Sequence, residues 1–428
     1  MVLENKLPVA DGERSLSLMV EKGGNLPLIK QKNLSLIKKV IYRSSPISRI
    51  EIAQRLSLTS PTITTSVNPM IAQGLLRELP APREGQDAER APGRRPVMLE
   101  FVPEAYYFCG VDLGPYQICY TLTDLTGRPA STHVSPYAGM GSYESTLDML
   151  AEGIPRFIEA AGLPREKVLG VGVVMPGLID GTTGKINSTF RSGWGGHFLP
   201  RDLSERIGIQ VRADNNVRAR IIEADLFDRT LLGDPVAYFY VSYGVACHLM
   251  IDGNVLYGSY AAAGEIGHTV VAPEGPLCTT CGNFGCLESL ASEKAVLDQC
   301  RASLYYSRTP SILTELCRSP EALTIEHVLE AQRRGERTVE HILFGCIKYL
   351  GAALANMINL ISPGTVLIDG HIFSLEQNRA RLVEEVKNHT LITNREQARF
   401  TFLPYDVYRG ARGGASIAVK AFFLEDAL

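Results

Sequence analysis

Three cysteines and one histidine lie close together in the sequence, and this cluster constrains the fold more than any other feature. Cys278, Cys281 and Cys286 follow His268, and all four stand within 19 residues. A Cys-x2-Cys pair and a third cysteine after four more residues, with glycines between them, can bring three thiolates and an imidazole to a tetrahedral zinc ion. Because four protein ligands close such a site, we predict a structural rather than a catalytic zinc in the loop 265–288.

The alternative for these cysteines is that they are free thiols or form disulfides. The other six cysteines stand singly in apolar stretches, as buried thiols do: Cys109, Cys119, Cys247, Cys300, Cys317 and Cys346. The N-terminus is polar and of mixed charge, unlike a signal peptide, and no apolar run approaches the roughly 18 residues of a membrane span. We therefore expect a cytoplasmic protein with no membrane partner, in a compartment where clustered cysteines more often bind metal than pair.

Charge is distributed unevenly along the 428 residues, although the net charge is only −3. Residues 1–100 contain 15 Lys and Arg against 10 Asp and Glu, and the rest of the chain contains 28 against 36. A basic N-terminal module therefore precedes an acidic body that is long enough for more than one domain.

The basic module carries the signals of a helix-turn-helix. Apolar residues recur at helical spacing over 33–43, and the S-x-x-E sequence from Ser48 to Glu51 predicts a capped second helix through Leu56. A three-residue turn then precedes Ser60, the expected N-cap of a third helix whose first residue is Pro61.

In a helix-turn-helix the second helix of the pair lies in the major groove. We therefore predict that polar side chains of the third helix contact base edges and phosphates, namely Thr62, Thr64, Thr65 and Ser66. Ile63 and Val67 would face the core of the module. Pro69 predicts a kink or break near Asn68, because proline removes a backbone hydrogen bond.

Residues 75–77 and 97–101 predict the two strands of a wing that follows the third helix. Arg94 and Arg95 lie at its tip and are candidates for contacts with the minor groove or with phosphates. The segment 28–102 is therefore predicted to be a winged helix-turn-helix domain that binds double-stranded operator DNA. The alternative is a small helical domain with a solvated basic face.

From Tyr107 onward the sequence alternates between predicted strands and helices. We predict strands at 108–111, 118–124, 168–174, 210–213, 237–243, 249–252 and 366–369, the last being the final strand. The clearest helices are predicted at 142–161 and 342–361. Several strands end in Asp-Gly or Pro-Gly corners, which is where α/β sheets place ligands.

Taken together, these motifs resemble the ROK family of repressors, open reading frames and kinases, in particular its regulator branch of NagC- and XylR-type repressors. The resemblance rests on the helix-turn-helix, on Asp112 to Gly114, on the glycine-rich stretch 249–268 and on the cysteine cluster. It implies an α/β, actin-like (ribonuclease H-like) body of two lobes over 103–428. The family's usual first spacing is Cys-x-Cys, so the spacing here is a small departure.

Members of this family are either ATP-dependent sugar kinases or sugar-responsive regulators, and the phosphate-binding loops distinguish the two. Phosphoryl transfer needs close approach of the backbone to the phosphates. Here Pro115 and Tyr116 follow Gly114, where kinase-like members have small residues and Thr. The segments 244–248 and 369–371 also lack the expected runs of glycine. The resemblance therefore implies an abandoned nucleotide site and no enzyme activity.

The sugar pocket is partly retained by the same comparison. Asp214 stands at the position of the kinase general base, and Glu265, His268 and Glu288 match residues that hydrogen-bond sugar hydroxyls. The Asn that usually precedes the catalytic Asp is Ala213, and the Asn expected before Gly193 is absent from 190–192. Altered sugar specificity or loss of sugar binding would explain these changes. The alternative for Asp214 is a helix N-cap.

The sequence thus predicts a sugar-responsive DNA-binding transcriptional regulator, expected to repress genes of carbohydrate metabolism. Its effector would be a sugar or a sugar phosphate, and a homodimer or a dimer of dimers would bind a pseudopalindromic operator. Two alternatives remain at this point. One is an ATP-dependent sugar kinase tethered to DNA, and the other is a regulator controlled by a protein partner.

Overall fold

The computed structural model describes residues 26–79, 96–137, 141–189, 193–227, 235–306, 310–317, 319–393 and 398–425. Arg94, Arg95 and the segment 190–192, which enter the predictions above, lie outside these residues.

The N-terminal module consists of three helices and a small antiparallel sheet. Its elements are α1 (Leu26–Ser44), β1 (Ile47–Ser48), α2 (Arg49–Leu56), α3 (Ser60–Ala72), β2 (Leu76–Leu79) and β3 (Met98–Phe101). The sheet order is β1-β3-β2. Four apolar side chains are fully buried between the helices, namely Ile37, Ile52, Ile63 and Val67. The burial of Ile63 and Val67 agrees with the sequence prediction. The three predicted helices and the two predicted strands are present, whereas β1 was not predicted.

The sequence predicted the N-cap of α2 correctly, but it placed the N-cap of α3 one residue too late. Ser48 and Glu51 form the predicted capping box of α2. The N-cap of α3 is Thr59 rather than Ser60, because Thr59 has the extended backbone of a cap and its side chain accepts from the Thr62 N–H at 3.4 Å.

The predicted break near Asn68 was wrong, since α3 continues through Pro69 to Ala72. The Pro69 carbonyl accepts a hydrogen bond from the Gln73 N–H at 2.9 Å, so the helix resumes its ladder directly after the proline. The carbonyl that loses its partner belongs to Thr65, which is exposed, so water can satisfy it.

The first lobe of the body is built on a five-stranded sheet with the order β10-β7-β4-β5-β6. Its elements are β4 (Tyr107–Leu113), β5 (Gln117–Asp124), β6 (Pro129–Pro136), α4 (Tyr143–Ala160), β7 (Val168–Met175), β8 (Leu178–Ile179), β9 (Ile186–Ser188), α5 (Leu199–Ile207) and β10 (Val211–Asn215). Strands β4, β5 and β6 form an antiparallel meander, and β7 and β10 extend the sheet in parallel with β4. Helix α6 (Asn216–Phe227) then leads to the second lobe.

The second lobe repeats this plan, with the sheet order β13-β12-β11-β14-β15. Its elements are β11 (Val236–Val241), β12 (Val245–Ile251), β13 (Asn254–Val255), α7 (Leu287–Ala291), α8 (Glu293–Tyr306), α9 (Ile312–Leu316), α10 (Ile325–Arg333), α11 (Arg337–Ile361), β14 (Thr365–Asp369), α12 (Glu376–His389) and β15 (Arg399–Phe402). Again three antiparallel strands are extended by two parallel ones. The duplicated topology confirms the predicted actin-like body.

The last helix, α13 (Arg409–Val419), returns to the first lobe and packs across its sheet. The contact is so close that a Cβ on Gly110 would lie 1.8 Å from the Ala411 carbonyl oxygen, which explains the glycine in the middle of β4. A short π-helical turn, Lys420–Leu424, follows.

Sequence analysis missed the short strands β1, β8, β9 and β13, and also two longer strands of the large sheets, β6 and β15. Strand β6 begins and ends with proline and is largely exposed, so it lacks the apolar alternation of a strand. Strand β15 follows the one predicted to be final, and its alternating half-buried positions give only a weak signal. In addition β12 starts at Val245, so most of the segment taken as a phosphate loop, 244–248, is strand.

Helix α11 corrects the expectation about apolar runs. Among the described residues it is the one helix long and apolar enough to cross a membrane by length and composition, with 56% of its most apolar window buried. Its apolar side chains pack into the second lobe against α7 and α12, as in a core helix.

The N-terminal module docks on the body through α1. The Ser35 hydroxyl donates to the Leu424 carbonyl, and the Tyr42 hydroxyl donates to the Leu125 carbonyl, both at 2.6 Å. Phe101 of β3 packs edge-on against Phe423 with ring centroids 5.0 Å apart. One apolar cluster therefore continues from the module into the body, and the boundary between 102 and 103 stays a prediction.

Candidate functional site

Helix α3 presents a polar face to solvent. Thr64 and Thr65 are exposed, and Thr62 and Ser66 are half-buried. The Thr65 hydroxyl donates to the Pro61 carbonyl at 2.9 Å, and the Thr62 hydroxyl shares a 2.9 Å hydrogen bond with that of Thr59. The structure thus places all four predicted DNA contacts on one short helical segment.

The predicted metal ligands come together in space. One ligand atom from each of His268, Cys278, Cys281 and Cys286 lies within 4.8 Å of the others. The Sγ atoms of Cys281 and Cys286 are 3.5 Å apart, and Cys278 Sγ is 3.8 Å from His268 Nδ1. Sulfurs about 2.3 Å from a tetrahedral zinc would be about 3.8 Å from one another, so this donor set fits the ion.

The chain reverses its direction twice to bring the four predicted metal ligands together. Isolated bridges pair Val270 with Cys286 and Leu277 with Phe284. Gly285 has φ +70°, and a Cβ there would lie 1.6 Å from the Ala272 carbonyl oxygen. Only glycine allows this approach, which is why the cluster needs a glycine immediately before its last cysteine.

A cavity of about 550 Å³ lies between the lobes beside the metal ligands, and we call it the loop-side cavity. Its lining includes Glu265, His268 and Glu288, as predicted, together with Thr280 and Cys281. A single short segment therefore supplies both the metal donors and much of one wall of the cavity.

The two carboxylates of the loop-side cavity act on each other. Burial raises the pKa of Glu265 to about 7, a rise that Arg218 opposes and that the charge of Glu288 reinforces. Glu288 accepts hydrogen bonds from the Thr280 hydroxyl at 2.7 Å and from the Val245 N–H at 3.4 Å. Two neighbouring carboxylates in a partly buried cavity favour a ligand with several hydroxyl donors.

Asp214, which was predicted to contact an effector, is not in the lining of this cavity, although the adjacent Asn215 and Asn216 are. Its carboxylate is 3% exposed, pairs with the fully buried Arg218 at 2.7 Å and accepts from the Tyr257 hydroxyl at 3.1 Å. Burial raises the pKa of Asp214, and Arg218 opposes that rise. Asp214 is not the N-cap of α6 either, because the Asn215 side chain accepts from the Val217 and Arg218 N–H groups.

A second cavity of about 540 Å³ is lined by two of the three loops interpreted as an abandoned nucleotide site, and we call it the strand-end cavity. The third segment, 244–248, lines the loop-side cavity instead. Pro115 and Tyr116 lie on one side, and Asp369 and His371 lie on the other. The rings of Tyr116 and Tyr243 meet edge-on across the lobes, with centroids 5.7 Å apart. Tyr243 also lines the loop-side cavity, so this aromatic contact lies where the two cavities adjoin.

A buried arginine crosses from one lobe to the other in the strand-end cavity. Arg220 of α6 is 3.4 Å from Asp112 and 3.3 Å from Asp369, and its guanidinium lies 4.4 Å from the centre of the Tyr240 ring. Burial raises the pKa of Asp112, and Arg220 opposes that rise. The guanidinium thus supplies the positive charge between two carboxylates that end strands of different lobes.

Sequence analysis missed Arg218 and Arg220. The available signal was two arginines between apolar residues directly after Asp214 to Asn216, where charges in a buried helix require acidic partners. Which acids they pair with depends on how the lobes meet, and no local pattern contains that information.

Comparison with known proteins agrees with this geometry. The xylose repressor of Bacillus subtilis (strain 168) is 28% identical over 363 residues, which cover 84% of this chain and 88% of the repressor. The crystal structure of a ROK family transcriptional regulator, a homologue of the E. coli MLC protein, matches with a TM-score of 0.78 and 25% identity. That match covers 93% of this chain and 97% of the regulator.

A sugar kinase shares the fold of the body. The ROK family glucokinase from Streptomyces griseus, in complex with glucose and AMPPNP, matches with a TM-score of 0.64 and 22% identity over 73% of this chain and 99% of the kinase. The profile described as ROK family matches residues 108–421. Because this match spans most of the chain, the protein belongs to the ROK family.

Proposed function

We propose that this protein is a sugar-responsive DNA-binding transcriptional regulator that represses genes of carbohydrate metabolism. The observation that carries the proposal is the combination of an exposed polar recognition helix with an actin-like body that holds a carboxylate-lined cavity beside a metal cluster. The xylose repressor and the ROK family regulator support it, since both extend over most of this chain.

The N-terminal module is proposed to bind double-stranded operator DNA through α3 and the wing. Thr64 and Thr65 are exposed on α3, and the nearby Arg49 and Arg55 add positive charge on α2. Arg94 and Arg95 would add contacts with phosphates or the minor groove, and their replacement by Ala should weaken binding broadly and flatten its salt dependence.

The direct test of this interface is a charge introduced on α3. Thr64→Glu should lower operator affinity by at least 10-fold, because a carboxylate would face the phosphates, and a gel-shift or anisotropy titration would measure it. Thr338→Glu is the matched control, since Thr338 is exposed on α11 outside the N-terminal module. Unchanged affinity of Thr64→Glu would remove α3 from the interface.

Zinc is proposed as the resident metal, held by His268, Cys278, Cys281 and Cys286. Its contribution would be structural, because four protein ligands leave no coordination position for a substrate. Freshly purified protein should therefore contain about one zinc per chain, and Cys281→Ser should lose it. Elemental analysis showing no metal would contradict this assignment.

The effector is proposed to be a sugar or a sugar phosphate in the loop-side cavity. Glu265 and Glu288 would accept hydrogen bonds from vicinal hydroxyls, and His268 would form part of the wall while its Nδ1 faces the metal. Asp214 is proposed to position Arg218 and Tyr257 rather than to touch the ligand. Calorimetry with glucose, N-acetylglucosamine, fructose, xylose and allose would test this, and no heat with any of them would favour a protein partner as the signal.

A sugar bound in the body can affect the N-terminal module because helix α1 of that module contacts both lobes. On the first lobe the Tyr42 hydroxyl donates a hydrogen bond to the Leu125 carbonyl. On the second lobe the guanidinium nitrogens of Arg43 lie 3.8 Å from the position that a Cβ on Gly253 would occupy. A ligand that favours one angle between the lobes would shift these contacts relative to each other. A coupling free energy of about 1–3 kcal/mol would be typical.

We propose that the body has no kinase activity, although sugar kinases share its fold. The Tyr116 and Tyr243 rings lie where the two cavities adjoin, so a γ-phosphate would not be positioned beside a sugar. Asp214 is ion-paired with Arg218, so its carboxylate is not free to act as a general base. We expect no sugar-dependent release of ADP with the same five sugars. Turnover with any of them would instead support a sugar kinase tethered to DNA.

A cytoplasmic homodimer, or a dimer of dimers, is proposed as the binding species. Two recognition helices related by a two-fold axis would read half-sites about one helical turn apart, or a multiple of it. Light scattering of the free protein and footprinting on a pseudopalindromic operator would test this assembly, and a monomer on a single half-site would contradict it.

A further inference from the structure

The strand-end cavity has no role in the function proposed above, yet it is as large as the loop-side cavity. Its volume of about 540 Å³ is ample for a small metabolite. Its walls come from both lobes, so a ligand there would contact the same two bodies whose angle the effector is proposed to set.

The charges of this cavity do not balance. Arg220 and Arg409 offset Asp112 and Asp369, with the Arg409 Nε 3.5 Å from Asp369. Two further basic residues in the lining, Lys294 and Arg301, are paired outside it with Asp298, and the acidic Asp406 is paired with Arg412. Among the described residues, this leaves Glu293 and Glu326 in the lining without an arginine or lysine partner. Glu326 is 62% exposed, at the mouth of the cavity, and its carboxylate lies 3.5 Å from His371 Nδ1.

Polar atoms in the same cavity also lack partners. Asp112 is only 8% exposed, and its Oδ1 has no hydrogen-bond partner among the described residues. The same is true of Glu293 Oε1, although Glu293 Oε2 accepts from the Ser242 hydroxyl at 3.1 Å. Arg220 Nε and His371 Nδ1 in the lining also lack a hydrogen-bond partner among the described residues, but the charge of Arg220 is already offset by Asp112 and Asp369. Buried carboxylate oxygens without a donor are costly, so a ligand that brings donors and positive charge would be stabilised here.

Aromatic rings form part of the remaining wall, beside aliphatic side chains such as Leu297 and Ile325. The Tyr116 and Tyr243 rings meet edge-on, and the Tyr405 ring stacks on His371 with centroids 3.9 Å apart. Tyr240 already holds the Arg220 guanidinium over its face. Ring faces beside carboxylates attract cations, particularly those that carry organic groups.

We propose that the strand-end cavity binds a small organic cation that bears an ammonium or guanidinium group, with Glu293 and Glu326 as its counter-charges and the tyrosine rings as its walls. A nucleotide is disfavoured in the same place, because the basic side chains of the lining are already paired and the unpaired charge is negative. The strand-end cavity, whose loops resemble those of a nucleotide site, would thus bind a cation instead of an anionic nucleotide.

The protonation of Glu293 should make this binding depend on pH. Burial raises its pKa to about 7. The groups that face it are Ser242, Lys294, Glu326, Asp369, His371 and Tyr405. Burial lowers the pKa of His371, and the charge of Glu326 opposes that change. Since a cation prefers the ionised carboxylate, affinity should rise as pH increases from 6 to 8.

Calorimetry on the full-length protein with agmatine, putrescine and tetramethylammonium, and with Mg-ATP as the anionic comparison, would test the proposal. At least one cation should bind, with affinity several-fold higher at pH 8 than at pH 6, and Mg-ATP should not bind. Glu293→Gln should weaken the cation at least 10-fold, while Glu166→Gln, at an exposed position of the first lobe, should leave it unchanged.

Tyr116→Ala gives a second variant if Glu293→Gln does not fold, because Tyr116 is 68% exposed and its loss should weaken the cation several-fold without unfolding the lobe. The proposal is overturned if no cation binds at millimolar concentration, if Glu293→Gln and Tyr116→Ala both bind normally, or if Mg-ATP binds and competes with the cation.

Discussion

The loop-side and strand-end cavities have nearly the same volume, about 550 and 540 Å³, but they handle buried charge differently. In the loop-side cavity, Glu265 and Glu288 stand at the surface of the cavity and are available to a ligand. In the strand-end cavity, Arg220 is fixed between Asp112 and Asp369 and joins the two lobes. The Asp112–Arg220–Asp369 cluster therefore belongs to the framework that joins the lobes, whereas Glu293 and Glu326 remain in the lining of the same cavity.

The largest expected effect tests whether Arg220 belongs to that framework. Arg220→Leu should lower the free energy of unfolding by about 3–5 kcal/mol, because it leaves two buried carboxylates with too little positive charge. Urea unfolding would measure the change. Arg333→Leu, at an arginine that is 59% exposed, is the control and should cost less than about 1 kcal/mol. A small effect of Arg220→Leu would mean that the strand-end cavity does not hold the lobes together.

Reciprocal substitutions test whether the two cavities bind independent ligands. Glu288→Gln should weaken sugar binding by about 10- to 100-fold, the range expected when a charged acceptor of hydrogen bonds is lost. It should leave agmatine binding unchanged, whereas Glu293→Gln should do the opposite. Calorimetry would measure both ligands on both variants, with zinc content checked because Glu288 lies near Cys286. Loss of both ligands in either variant would contradict two separate sites.

Removing the aromatic contact tests whether it alone prevents kinase activity. Tyr116→Ala should cost at most about 1.5 kcal/mol of stability, since an aromatic pair contributes about 0.5–1.5 kcal/mol. It should not produce sugar-dependent ADP release, because Arg220 and the pairing of Asp214 with Arg218 remain. A coupled assay would detect turnover, and activity in this variant would show that the tyrosine was the main obstacle.

The smallest effect on stability is expected where α1 meets the body. Arg43→Ala breaks the 2.7 Å pair with Asp225, but Arg43 is 39% exposed, so the cost should stay below about 1 kcal/mol. The same variant should reduce the effect of sugar on operator affinity, because one contact between α1 and the body is lost. Lys39→Ala, which breaks an exposed pair with Glu425, is the matched control. An unchanged sugar response in Arg43→Ala would exclude this contact from the coupling.

Local chemistry made the helices of the N-terminal module and the clustering of His268 with three cysteines predictable. The capping box at Ser48 and the cluster from His268 to Cys286 are each formed by residues that lie close together in the sequence. Their spacing along the chain is therefore enough to predict that they come together. The limit of such signals is visible at α3, where Thr59 caps the helix instead of Ser60 and the helix continues through Pro69.

Only the tertiary structure decided which partners the buried acids of the body have. Asp214 was predicted to contact the effector from its sequence position alone, and only the structure shows that it pairs with Arg218 one turn along α6 and with Tyr257 from the second lobe. Arg220 joins Asp112 to Asp369, which are separated by more than half of the chain. The sequence determined which charged groups are present and which segments become strands and helices. The packing of the lobes determined which charges are neutralised in the interior and which remain open to a ligand, because that depends on burial and distance between residues far apart in the chain.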